Sequence, residues 1–109
     1  MSRFIPGEGV RLSKEEIIHE ISSYMDEQGG FPYEWYVGIA EDARDSLFEA
    51  HNVDWERGRW IYQPANSPSE ARLIEEHFLI VVGTDGGDGD GRPRARQVYA
   101  YRKSYRTTP

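Results

Sequence analysis

Residues 35 to 51 read WYVGIAEDARDSLFEAH, and the order of residue types in this stretch decides the fold. Trp35 to Ile39 is aromatic and β-branched, which favours a half-buried strand, and with Glu34 before it the strand is expected over about 34 to 39. Glu41 and Asp42 form an acidic turn. After them Ala43, Leu47 and Phe48 recur at helical spacing, predicting a helix from about Asp42 to Ala50 that ends at His51.

Upstream, Ser13-Lys14-Glu15-Glu16 has the form of a capping box, in which a serine hydroxyl and a glutamate carboxylate reciprocally satisfy free amides. Ile17, Ile18, Ile21, Tyr24 and Met25 follow as one apolar stripe, and Gly29-Gly30 ends that helix. Residues 1 to 12, with Pro6, Gly7 and Gly9, are expected to be an irregular arm.

Downstream, Arg59 to Gln63 (RWIYQ) predicts a short strand closed by Pro64. A second box, Ser67-Pro68-Ser69-Glu70, opens a third helix through Ala71, Ile74 and Phe78 into Leu79. Residues 79 to 82 (LIVV) suit either a continuation of that helix or a strand. Gly83 to Gly91 (GTDGGDGDG) predicts a loop, and Gln97 to Arg102 (QVYAYR) alternates as a strand. The sum is an α+β fold: one domain over 13 to 109, with a small three-stranded, mainly antiparallel sheet flanked by three helices.

Composition narrows the function classes. The 109 residues suffice for one modest core, and 3 Trp, 7 Tyr and 4 Phe are too many large side chains for a disordered chain. The absence of cysteine removes disulfides and thiolate metal sites. No apolar run approaches the ~20 residues that span a bilayer, and no apolar signal core opens the chain. A soluble cytoplasmic protein without membrane contact is the expectation. The net charge of -6 hides an asymmetry, because Arg92 to Pro109 holds six basic residues and no acidic one. Arg96, Arg102, Lys103 and Arg106 of this tail are candidate nucleic-acid contacts, interleaved with stacking tyrosines. Neutralisation of the acidic body is the competing explanation.

Standard motifs fail. The glycine-rich loop lacks the lysine of a phosphate-binding loop, and Arg92-Pro93 stands where a dinucleotide-binding helix would begin. Asp85, Asp88 and Asp90 lack the closing glutamate of a calcium loop, leaving a weak ion site or a plain connector. His19, His51 and His77 are scattered over three helices, and His19 and His77 are expected on solvated faces. Zinc and serine-hydrolase signatures are missing.

Tyr36-Val37-Gly38, the helix that closes on His51, and Ala71-Arg72-Leu73-Ile74-Glu75 together resemble the GIY-YIG nuclease superfamily over about residues 35 to 80. Tyr36-Val37-Gly38 is similar to the second half of its signature. The resemblance implies a metal-dependent phosphodiesterase acting on DNA or RNA, with Glu75 as metal ligand for Mg2+ or Mn2+. It implies that Tyr36 assists deprotonation of the attacking water and that an arginine stabilises phosphoryl charge. That arginine's position is Ser46 here. Arg44 is no easy substitute, since two residues along a helix turn a side chain by about 200° and should point it away from the face of Ser46. The preceding Gly-Ile-Tyr strand is also missing, and Gln97 to Arg102 is the segment that can fill its slot, bringing Tyr99 or Tyr101 beside Tyr36. The candidate catalytic set is therefore Tyr36, Ser46, His51 and Tyr99. Two outcomes remain open: a divergent nuclease, or a non-enzymatic module on the same scaffold. Such a module would bind nucleic acid, or protein through aromatics such as Trp55 and Trp60, with Trp60 the better candidate for burial.

Overall fold

The computed structural model describes residues 12–87 and 93–109, and the expected arm at 1 to 12 lies almost wholly outside them. Helix α1 spans Lys14–Gln28 and begins with the predicted box: Glu16 N–H donates to Ser13 Oγ at 3.1 Å, and Ser13 N–H to Glu16 Oε1 at 2.8 Å. Strand β1 covers Trp35–Ala40, β2 Trp60–Pro64, and β4 Gln97–Arg102. Helix α2, Pro68–Glu76, is capped by Ser67, whose hydroxyl accepts from Glu70 N–H at 3.1 Å.

The sheet corrects the expected strand count. It has four strands in the order β2-β4-β1-β3, because β3, Asp85–Gly86, adds parallel to the edge of β1. β1 and β2 both pair antiparallel with β4. The glycines that argued against a strand at 85 and 86 permit this one. A Cβ on Gly86 would collide with the Leu79 side chain and lie 2.6 Å from the Val37 carbonyl oxygen, so only glycine reaches that edge. The remainder of the predicted loop, at 88 to 91, lies outside the described residues.

The helical readings shift in kind. The segment Asp45–Ala50 is a π-helix, with the His51 N–H bonded to Ser46 O at 2.9 Å. The stretch 77 to 82 continues from α2 as a second π segment, His77–Val82, and is not a strand.

Alternation along the strands gives the sheet two different faces. Trp35, Val37, Ile39, Ile61, Val98 and Ala100 form the larger apolar core with Ile17 and Ile21 of α1 and Ala71, Ile74 and Phe78 of the α2 region. On the opposite face Tyr99, Tyr101 and Trp60 pack with Ala43, Leu47 and Val53, and with the partly buried Tyr36, Phe48 and Tyr62. Trp60 is buried as expected, and its indole N–H donates to the Trp55 carbonyl at 2.9 Å; Trp55 itself is exposed. Among the described residues no helix is long and apolar enough to cross a membrane.

Candidate active site

The aromatic face of the sheet opens where the chain leaves β1. The Asp42 carboxylate accepts from the N–H groups of Arg44 and Asp45, at 3.0 and 3.2 Å, and so starts the helical segment. The side chain of Gln97, at the start of β4, accepts from Ala43 N–H at 2.7 Å and ties that segment to the sheet. The π turn then decides which side chains share a face. In an α-helix, residues five apart differ by about 140°. The i to i+5 bond of the wider turn brings Ser46 and His51 to one side. Both line a cleft of about 800 Å³, with Asp42, Asp45 and Glu49 of the same segment.

All five predicted catalytic and metal residues line this cleft. Tyr36, Ser46, His51, Glu75 and Tyr99 line it together with Gly38, Glu41 and Gly87. β4 pairs antiparallel beside the Tyr-Val-Gly strand, with Tyr36 opposite Tyr101 and Gly38 opposite Tyr99. Glu75 is buried at 8% exposure, unlike its exposed neighbour Glu76. Its spacing from Ala71 and Phe78 places it on the inward stripe, a signal present in the sequence.

His51 is the centre of the arrangement. Its ring lies 4.7 Å from that of Tyr36, centroid to centroid. Nδ1 stands 2.7 Å from the Thr108 carbonyl oxygen and 3.0 Å from the Tyr101 hydroxyl, and Nε2 stands 2.9 Å from the Tyr99 hydroxyl. A carbonyl oxygen only accepts, so the short contact to Thr108 assigns the proton of a neutral imidazole to Nδ1. Nε2 is then the acceptor, and the Tyr99 O–H donates to it. Burial, reinforced by Tyr36 and Tyr99, pushes the Tyr101 phenol well above its ordinary value, so Tyr101 stays neutral. The geometry gives a phenol, Tyr99, with a base in contact and that base oriented from behind by a carbonyl. The Thr108 carbonyl and Gln97 carried no sequence signal, because each acts through a contact more than fifty residues away.

Five carboxylates, of Glu41, Asp42, Asp45, Glu49 and Glu75, line the cleft, and among the described residues no arginine or lysine does. Arg44 instead lies over the Phe48 ring, 5.6 Å from its centroid. No group of three His, Cys, Asp or Glu side chains suited to hold a metal occurs among the described residues.

The predicted nucleic-acid residues fall elsewhere. Arg102 pairs with Glu34 at 2.9 Å and Lys103 with Asp85 at 3.0 Å. Arg96 is exposed, and Arg106 packs against Tyr105. Asp88 and Asp90 lie outside the described residues, so of the loop aspartates only Asp85 is placed, in β3. His19 is exposed and His77 half-buried, edge-on to Phe78. Comparison with protein families, curated proteins and solved structures finds no match to this chain.

Proposed function

We propose that this chain is a divergent GIY-YIG-like phosphodiesterase domain acting on DNA or RNA, with Glu75 as the protein ligand of Mg2+ or Mn2+. The observation that carries the reading is the 2.9 Å contact between the Tyr99 hydroxyl and His51 Nε2, in a cleft also lined by Tyr36, Ser46 and Glu75. Tyr99 is the group from which a proton can pass to His51, and Tyr36 packs on the same imidazole. A single buried carboxylate fits an ion that keeps most of its waters, the usual manner of Mg2+, and does not fit a closed all-protein cage. When bound, such an ion supplies Lewis-acid polarisation of a phosphoryl oxygen.

The test is cleavage of single- and double-stranded DNA and RNA by the full chain with Mg2+ or Mn2+. Cleavage that is lost with a chelator and with Glu75→Gln is expected. A folded protein that cuts none of these substrates overturns the catalytic reading.

One observation favours the second reading, a module that binds nucleic acid or protein without cutting. Ser46 replaces a guanidinium that would stabilise developing phosphoryl charge, and the five cleft carboxylates repel an approaching phosphate. Loss of one such charged contact typically removes about 3 kcal/mol of transition-state stabilisation, roughly a hundredfold in rate.

A further inference from the structure

Chain neighbours of the cleft residues line a second hollow, of about 350 Å³, with the opposite electrical character. Among the described residues its walls carry Arg57, Arg59, Arg102, Lys103 and Arg106, against only Glu34 and Asp54. Two of the cations are matched, Arg102 by Glu34 and Lys103 by Asp85. The Asp54 carboxylate is engaged by its own turn, accepting from the N–H groups of Glu56 and Arg57 at 2.9 Å each. Arg57, Arg59 and Arg106 thus face one hollow; among the described residues none makes an ion pair within 4.0 Å, and the Asp54 carboxylate attracts Arg57 and Arg106 at longer range without balancing all three.

The backbone around them is fixed. Asn52, at φ 58°, donates from its amide to the Arg106 carbonyl at 2.9 Å, and Arg102 N–H donates to the Arg59 carbonyl at 2.9 Å. These bonds join the 52 to 59 turn to the C-terminal segment, so the backbone holds the three arginines around one hollow, with the Arg106 guanidinium over the Tyr105 ring. Three like charges held together are unfavourable alone and favourable around an anion. A guanidinium fork matches phosphate oxygens in geometry as well as charge.

We propose that this hollow is a phosphoryl-anion site formed by Arg57, Arg59 and Arg106. The site stands independently of whether the cleft cuts. Its ligand is either a backbone phosphate of a nucleic acid or a free phosphate.

The experiment titrates the full chain with inorganic phosphate and, separately, with a single-stranded oligonucleotide, reading tryptophan emission. Trp55 and Trp60 flank Arg57 and Arg59 in the chain and serve as reporters. Saturable binding is expected, weakened about tenfold or more by Arg57→Ala, Arg59→Ala or Arg106→Ala singly. Arg57→Lys, which keeps the charge and loses the fork, should fall between parent and alanine. Arg44→Ala and Arg72→Ala, exposed arginines outside the hollow, should bind as the parent does. Saturation by phosphate supports the site with a free anion as ligand. Saturation by the oligonucleotide alone, with the same arginine dependence, supports it with backbone phosphate as ligand. The proposal is overturned if neither ligand saturates, or if binding survives Arg57→Ala combined with Arg59→Ala in a protein whose thermal unfolding is unchanged.

Discussion

The hydroxyl of Tyr99 crosses directly over Gly38: a Cβ built on Gly38 would stand 2.6 Å from that oxygen and 2.7 Å from the ring carbon bearing it. The glycine of Tyr-Val-Gly is therefore the floor on which Tyr99 reaches His51. Gly38→Ala is expected to push the Tyr99 ring aside, lengthen its contact with His51, and destabilise the fold by about 1–3 kcal/mol through overpacking. Urea unfolding measures the loss, and the imidazole NMR signals of His51 report the displaced phenol. Unchanged signals would refute this account of the glycine.

The three partners of His51 make its removal a packing and hydrogen-bonding event together. His51→Ala should cost more stability than Tyr101→Phe, which removes one hydrogen bond and about 1 kcal/mol. It should also loosen residues 104 to 109, since the Thr108 carbonyl loses its Nδ1–H donor and only the bond from the Thr108 N–H to the backbone carbonyl of residue 51 is left between Thr108 and that residue. Hydrogen exchange at Thr108 separates the cases: faster exchange is expected in His51→Ala and little change in Tyr101→Phe.

Ser46 sits in the cleft at the position where the resemblance calls for arginine. If the scaffold hydrolyses phosphodiesters, Ser46→Arg restores a donor for phosphoryl charge and raises the cleavage rate by about 10–100-fold. The same substitution in Glu75→Gln background should give no gain. A folded Ser46→Arg protein with no increase over the parent argues for the non-cutting module.

Two ion pairs set an acid limit on stability. The Arg102 guanidinium holds the Glu34 carboxyl below its usual range, and the Lys103 ammonium does the same for Asp85. Folded values below the unfolded ~4.3 and ~3.9 mean that these pairs contribute fully above about pH 5. Their contribution drains as pH falls through ~4 toward the folded values. Glu34→Gln with Asp85→Asn should therefore be less stable than the parent at neutral pH and converge with it in acid. A gap that persists at pH 2–3 would show that the carboxylate charge is not what stabilises.

Much of this was readable from residues alone, where local chemistry decided the outcome. The Ser13 box, the apolar stripe of α1 and the alternation of Gln97 to Arg102 each produced the element they predicted. What stayed hidden was non-local or irregular. Asp85–Gly86 pairs with β1 only because Gly86 fits against Val37, a fact of the edge and not of the segment. The π turns do not follow 3.6-residue periodicity, so helical spacing located the helix and missed its geometry. The basic tail was read as one charged surface, whereas folding matches Arg102 and Lys103 with acids and gathers Arg106 with Arg57 and Arg59.

The wide turn at Asp45–Ala50 holds one residue more than an α-turn closing the same span would need. A one-residue deletion there would leave a better hydrogen-bonded helix and a worse site, because Ser46 and His51 would swing to different sides. Length, and not only residue identity, thus sets the geometry of this segment: removing one position is expected to keep the sheet and to part Ser46 from His51.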